Sequence, residues 1–190
     1  MLKSKFSLGA ASLISALAFA RPTDAGPQAT APPLANAELV DADALGEIKR
    51  LYRVLIDAEN RHDIAAVKPL VWVSVNALFV AKTATSAEGN WAGFWGSEVV
   101  LRHLEELYEA GPFRIDPDYE KEKVVALSHD VIETYVPVSI TVAYAGQTPV
   151  PKPFLMIVTW IRTTAGWRMA TDIALPIPPA PTAEPHSPTP

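Results

Sequence analysis

From residue 132 the even positions read Ile132, Thr134, Val136, Val138, Ile140, Val142 and Tyr144, while the odd positions are mixed: Glu133, Tyr135, Pro137, Ser139. Alternation of this length predicts a strand with one buried face. Residues 154–162 are apolar at both parities, which predicts a central strand covered on both sides. A short connection at 163–166 predicts a hairpin. After it, Trp167, Met169, Thr171, Ile173 and Leu175 continue one inward parity, and Asp172 points away. Residues 131–175 therefore predict a curved antiparallel meander. Pro137 cannot donate to a ladder and marks a bulge or an edge.

Upstream the period changes to that of a helix. Leu45, Ile48, Leu51, Tyr52, Leu55 and Ile56 form one apolar stripe, with Asp43 as N-cap and Glu47 in the first turn. Glu59 falls inside the stripe and His62 near its edge. Asp63 reads as the cap of a second, short helix over 64–71. Residues 73–83 predict a strand, and 85–96 an aromatic loop carrying Trp91, Phe94 and Trp95. Ser97 caps a third helix over 98–110, which Gly111-Pro112 ends. Residues 113–127 are extended, with an interruption at Asp116-Pro117-Asp118.

The first 20 residues have a basic start (Lys3, Lys5), a short apolar run and small residues around Ala20, the pattern of a secretory signal peptide. Residues 21–42 are rich in alanine and proline and read as a linker, and residues 176–190 read as a proline-rich tail. One domain remains, over 43–175. The expected location is periplasmic or secreted. The chain has no cysteine, so packing alone must hold an exported domain together. A formal charge of −5 without a basic cluster argues against nucleic acid, and against a membrane surface once the leader is removed.

Taken together, the pattern is α+β: a cone-shaped, curved antiparallel sheet wrapped around a long N-terminal helix, with two shorter helices. The stretches NRHDIAAV (60–67), WGSEVVLRHL (95–104) and GWRMATD (166–172) resemble the nuclear transport factor 2-like superfamily, most of all its polyketide-cyclase (SnoaL)-like branch. That resemblance implies an apolar pocket at the open end of the cone. It also implies a choice among ligand binder, isomerase or lyase, and non-catalytic dimer module. Catalytic relatives often carry inward histidines in the last strand, where this chain has Thr171 and Ile173.

Three residues are candidates for proton-transfer chemistry. Glu59 is a carboxylate on an apolar stripe and could serve as a base, with Tyr52 or His103 as donor. More ordinary roles compete: a satisfied polar pair for Glu59, packing for Tyr52, a core-margin histidine for His103. A hydrophobic small molecule held in the cone would meet Val138, Ile140, Met156, Met169, Thr171 and Ile173, under Trp91, Phe94 and Trp95 as a lid or a plug. The four histidines show no ligand spacing, and no phosphate-binding loop is present, so neither a metal nor a cofactor is expected. A homodimer through the outer sheet face, where Thr159, Ile161 and Ala170 lie by parity, is the remaining partner expectation.

Overall fold

The structure, a computed structural model, describes residues 42–83, 91–143 and 148–178. The leader, nearly all of the linker and most of the tail lie outside the described residues. The described residues form three α-helices: α1 (Ala42–Asn60), α2 (Ile64–Val67) and α3 (Ser97–Glu109). The strands are β1 (Leu78–Lys82), β2 (Trp91–Trp95), β3 (Phe113–Pro117), β4 (Lys123–Ser128), β5 (Val131–Val142), β6 (Lys152–Thr163) and β7 (Gly166–Pro176). They form one sheet in the order β2-β1-β7-β6-β5-β3, with β4 also on β5. Among the described strands the pairings are antiparallel except β1 with β7, which is parallel, so the sheet is mixed.

The helical stripe folds as its spacing dictates. Ile48, Tyr52, Leu55 and Ile56 are buried on α1 against the concave side of the sheet. Trp160 of β6 and Tyr52 are the largest fully buried side chains. Curvature is strong: the ring of Trp91, on the first strand of the order, lies 6.1 Å from that of Phe154, three strands along.

Several expectations change at the ends of elements. Helix α1 starts at Ala42, so Asp43 sits in its first turn. Asp63 does cap α2, accepting from the Ala66 amide at 3.0 Å, but α2 is short and gives way to a 3₁₀ turn at Lys68–Leu70 around Pro69. In α3 the cap is Gly96, which has no side chain to make a capping bond, and Ser97 is the first helical residue. Residues 73–77 alternate like a strand, yet Val73 and Val75 are 87% and 82% exposed; only Leu78–Lys82 pairs. Conversely Trp91–Trp95, read as loop, is the edge strand β2.

Pro137 causes no bulge. The β5–β6 register runs unbroken from Val131↔Ile161 to Ile140↔Lys152. The carbonyl of Pro137 accepts from the Asp118 amide at 2.8 Å, on the side where β3 ends and a 3₁₀ turn leads to β4. Its missing donor thus falls in the gap between two short partner strands. Strand β6 is central in the order but covered only on its inner side. Phe154, Met156, Val158 and Trp160 are buried, whereas Leu155, Ile157, Thr159 and Ile161 are half-buried on the outer face.

Register shifts lie elsewhere, one between Ala126 and Ser128 on β4 and one in β7. Thr159 pairs with Thr171 and Trp160 with Met169, so Ala170 is one residue too many on its strand. Parity reverses there. Trp167 and Met169 are inward before it; Asp172 and Ala174 are inward after it, and Thr171 and Ile173 turn to the outer face.

Candidate functional site

The concave side of the sheet holds a partly open cavity of about 80 Å³ between α1, α3 and the strands. Its walls are apolar: Phe79 and Ala81 from β1, Trp91 from β2, Leu104 and Leu107 from α3, Phe113 and Ile115 from β3, Ile140 and Val142 from β5, Phe154 and Met156 from β6, Ala174 from β7. Lys82 at the end of β1 also reaches the lining, and two carboxyl groups break that surface, Glu59 from the last turn of α1 and Asp172 from β7. They are 1% and 2% exposed. Oε2 of Glu59 and Oδ1 of Asp172 are buried without a hydrogen-bond partner among the described residues.

An unpaired carboxylate in an apolar wall is expensive, and the cost is lowered by keeping a proton. Burial raises Glu59 well above the usual carboxylate range, and the negative charge of Asp172 raises it further. Burial pushes Asp172 up to about 7. Two tyrosines feel the same pair. Tyr52 is raised by burial and then by Asp172 and Glu59; Tyr108 on α3 is raised by burial and then by Glu59 and Asp172. The Tyr52 hydroxyl donates to Sδ of Met156 at 3.7 Å, one layer behind the cavity wall. The buried Tyr108 hydroxyl has no partner among the described residues.

Local contacts fix the Glu59 end of α1. The next residue, Asn60, lays its side-chain amide against the free edge of β3, donating to the Ile115 carbonyl and accepting from the Ile115 amide, both at 2.7 Å. His62 follows with a φ of 55°, and its Nε2 is 3.1 Å from the Phe113 carbonyl. Its ring stacks on Tyr108 with centroids 4.8 Å apart. The NRHD run is therefore a clasp: it holds α1, β3 and α3 around the acid pair.

Of the residues singled out from sequence, Glu59, Trp91, Ile140 and Met156 line the cavity, with Tyr52 directly behind. Val138 and Met169 are buried beside it in the core. His103 lies elsewhere. It stacks on Phe94 at 3.6 Å, near Phe79, and its Nδ1 is 3.1 Å from Oε2 of Glu106. Burial pushes its pKa down. The aromatic segment is thus divided: Trp91 covers the cavity, Phe94 packs on His103, and Trp95 is 59% exposed. Thr171 and Ile173 face outward, and the expectation that Asp172 points away is reversed, because the bulge at Ala170 shifts the pattern by one residue. Asp172 and Tyr108 were not foreseen. A lone aspartate in a strand apolar at neighbouring positions was the available signal for the first.

No protein-family model and no curated protein sequence matches the chain. Solved structures do. A protein proposed to be a dehydratase of the nuclear transport factor 2-like family, from Streptomyces avermitilis, superposes with a TM-score of 0.59 at 14% identity, covering 72% of this chain and 98% of that one. A nuclear transport factor 2-like superfamily protein from Salmonella enterica gives 0.58 at 14%, covering 76% and 97%. The chain has the nuclear transport factor 2-like fold. An uncharacterised protein with a cystatin-like fold from Caulobacter vibrioides reaches 0.61 at 8% identity, covering 72% and 92%. At such identities the likeness concerns this fold and not a shared reaction.

Proposed function

We propose that the protein is an exported domain that binds a small, mostly apolar molecule inside the cone, with Glu59 and Asp172 meeting that molecule's polar group. One observation carries this reading: two buried carboxyl groups, each with an oxygen that has no hydrogen-bond partner among the described residues, line one apolar cavity. Buried polar atoms without a partner are scarce in folded proteins, and a ligand is the economical reason for two of them at one place. The size of the cavity narrows the ligand. At about 80 Å³ it is well below the several hundred Å³ of sites for drug-sized compounds, so sterol-like molecules are disfavoured.

Melting temperature in the presence of a fragment library, followed by methyl NMR, tests the reading. Binding to the folded state must raise stability by about 2.7 kcal/mol at a hundredfold excess over Kd. The responding methyl signals should be those of Leu104, Leu107, Met156 and Ala174. A library that leaves both melting and these signals unchanged removes the proposal.

The same acid pair favours a second reading, a cofactor-free isomerase or lyase. A neutral carboxyl can donate a proton while its ionised neighbour accepts one, so a proton can leave one atom of the bound molecule and be returned to another. The dehydratase proposal for the Streptomyces avermitilis protein is consistent with chemistry of this type. Glu59→Gln and Asp172→Asn should each abolish deuterium exchange into a bound ligand, and exchange surviving both would end this reading. The half-buried outer face (Leu155, Ile157, Ile161, Ile173) supports a third element of the proposal, pairing with a second copy there.

A further inference from the structure

The charge of the ligand follows from what surrounds the acid pair. Glu59 and Asp172 reach the cavity from α1 and β7, and neither takes part in an ion pair among the described residues. The groups that face them from the packed elements are hydroxyls, Tyr52 from α1 and Tyr108 from α3. Lys82, the basic residue of the cavity lining, is the half-buried cross-strand partner of Trp91 and bonds neither acid. Natural interiors rarely hold two carboxyls on one cavity without a cation. Here the protein supplies no cation paired with either acid among the described residues.

We propose that the occupant supplies it: the cavity is a site for a small organic ammonium ion with a short apolar body, its N–H groups bonded to the carboxyl groups of Glu59 and Asp172. This deepens the small-molecule reading above and rests on it. An ammonium carries two or three donors on one atom, so it can reach two acceptors at once. A carbonyl brings only acceptors and would require both acids to stay protonated. The remaining walls suit a cation's body, since Phe79, Trp91, Phe113 and Phe154 bring aromatic rings to the cavity. A metal ion fits poorly, because no group of three or more His, Cys, Asp or Glu occurs together among the described residues. Charge also balances. A pair holding one proton has a net charge of −1, and a single ammonium brings the buried site to zero. Binding therefore releases protons when the empty pair is more fully protonated.

The experiment is a titration of the full chain with butylamine, butanol and butyrate, followed by methyl NMR at pH 5 and pH 8. Butylamine stays charged at both. At pH 8 it should bind about tenfold or more tightly than butanol, a preference of roughly 1.4 kcal/mol, and butyrate should not bind. At pH 5 the amine's affinity should fall several-fold. Asp172→Asn and Glu59→Gln should each reduce the preference to under about threefold while butanol still binds; two variants on separate elements guard against one that misfolds. Butanol binding as tightly as butylamine at pH 8, or a preference that survives both substitutions, overturns the ammonium assignment alone. If none of the three probes binds, the cavity reading falls with it.

Discussion

The side-chain amide of Asn60 pairs with the backbone of Ile115 as a neighbouring strand would, one bond in each direction and both 2.7 Å long. It thereby covers part of the edge of β3 and anchors the helix turn that carries Glu59. Asn60→Ala should cost about 2–3 kcal/mol, the loss of two bonds plus a buried unpaired backbone group. Asn60→Asp should be nearly as damaging, because a carboxylate cannot donate to the Ile115 carbonyl. Urea unfolding of the two variants beside the wild type measures both, and an Asp variant of wild-type stability would show that the pairing contributes little.

The acid pair makes stability depend on pH in an unusual sense. Asp172 holds its proton more tightly folded, at about 7, than unfolded, at about 3.8. Its contribution is therefore complete below pH 4 and is lost as pH rises toward 7, because the folded state binds more protons in that window. Unfolding free energies between pH 4 and pH 8 should show wild type losing stability relative to Asp172→Asn as pH rises. Parallel pH profiles for the two proteins would mean that the carboxyl is solvated or paired in solution.

The reversal of parity in β7 can be tested by neighbouring substitutions. Ala174 lines the cavity and Ile173 lies on the outer face. Ala174→Leu should fill much of the space and reduce ligand affinity at least tenfold, since the cavity is only about 80 Å³. Ile173→Ala should leave affinity unchanged. If the two effects were exchanged, the bulge would be misplaced.

The outer face gives the prediction about assembly. Leu155, Ile157 and Ile161 form an apolar row that is only half-buried in one chain. Sedimentation should show a dimer for the wild type and a monomer for Ile157→Glu, with the helical circular dichroism of the two alike. A wild type that remains monomeric at high concentration removes the dimer from the proposal.

Much of the architecture was legible in residue order. The stripe of α1, the even-numbered face of β5, the 163–166 hairpin and the Asp63 cap all follow from local spacing, and the structure places them there. What was hidden depends on partners far along the chain. Val73 and Val75 alternate like strand residues but lie where no neighbour pairs with them, and Trp91–Trp95 is a strand because β1 lies alongside it. The site was half legible. Glu59 showed itself as a charge on an apolar stripe. Asp172 did not, because a one-residue excess against β6 leaves no mark in composition, yet it inverts every position after it.

That excess at Ala170 bears on how a site of this type can arise or disappear. Were the same residues to pair with β6 without that excess, Asp172 would fall on the outer face and Thr171 and Ile173 would turn inward, without substituting any side chain. An acidic pocket would become a neutral one, and a carboxylate would be added to the surface proposed for pairing. In a last strand of this kind, the presence or absence of a one-residue bulge therefore decides which side chains line the cavity, whatever their identities.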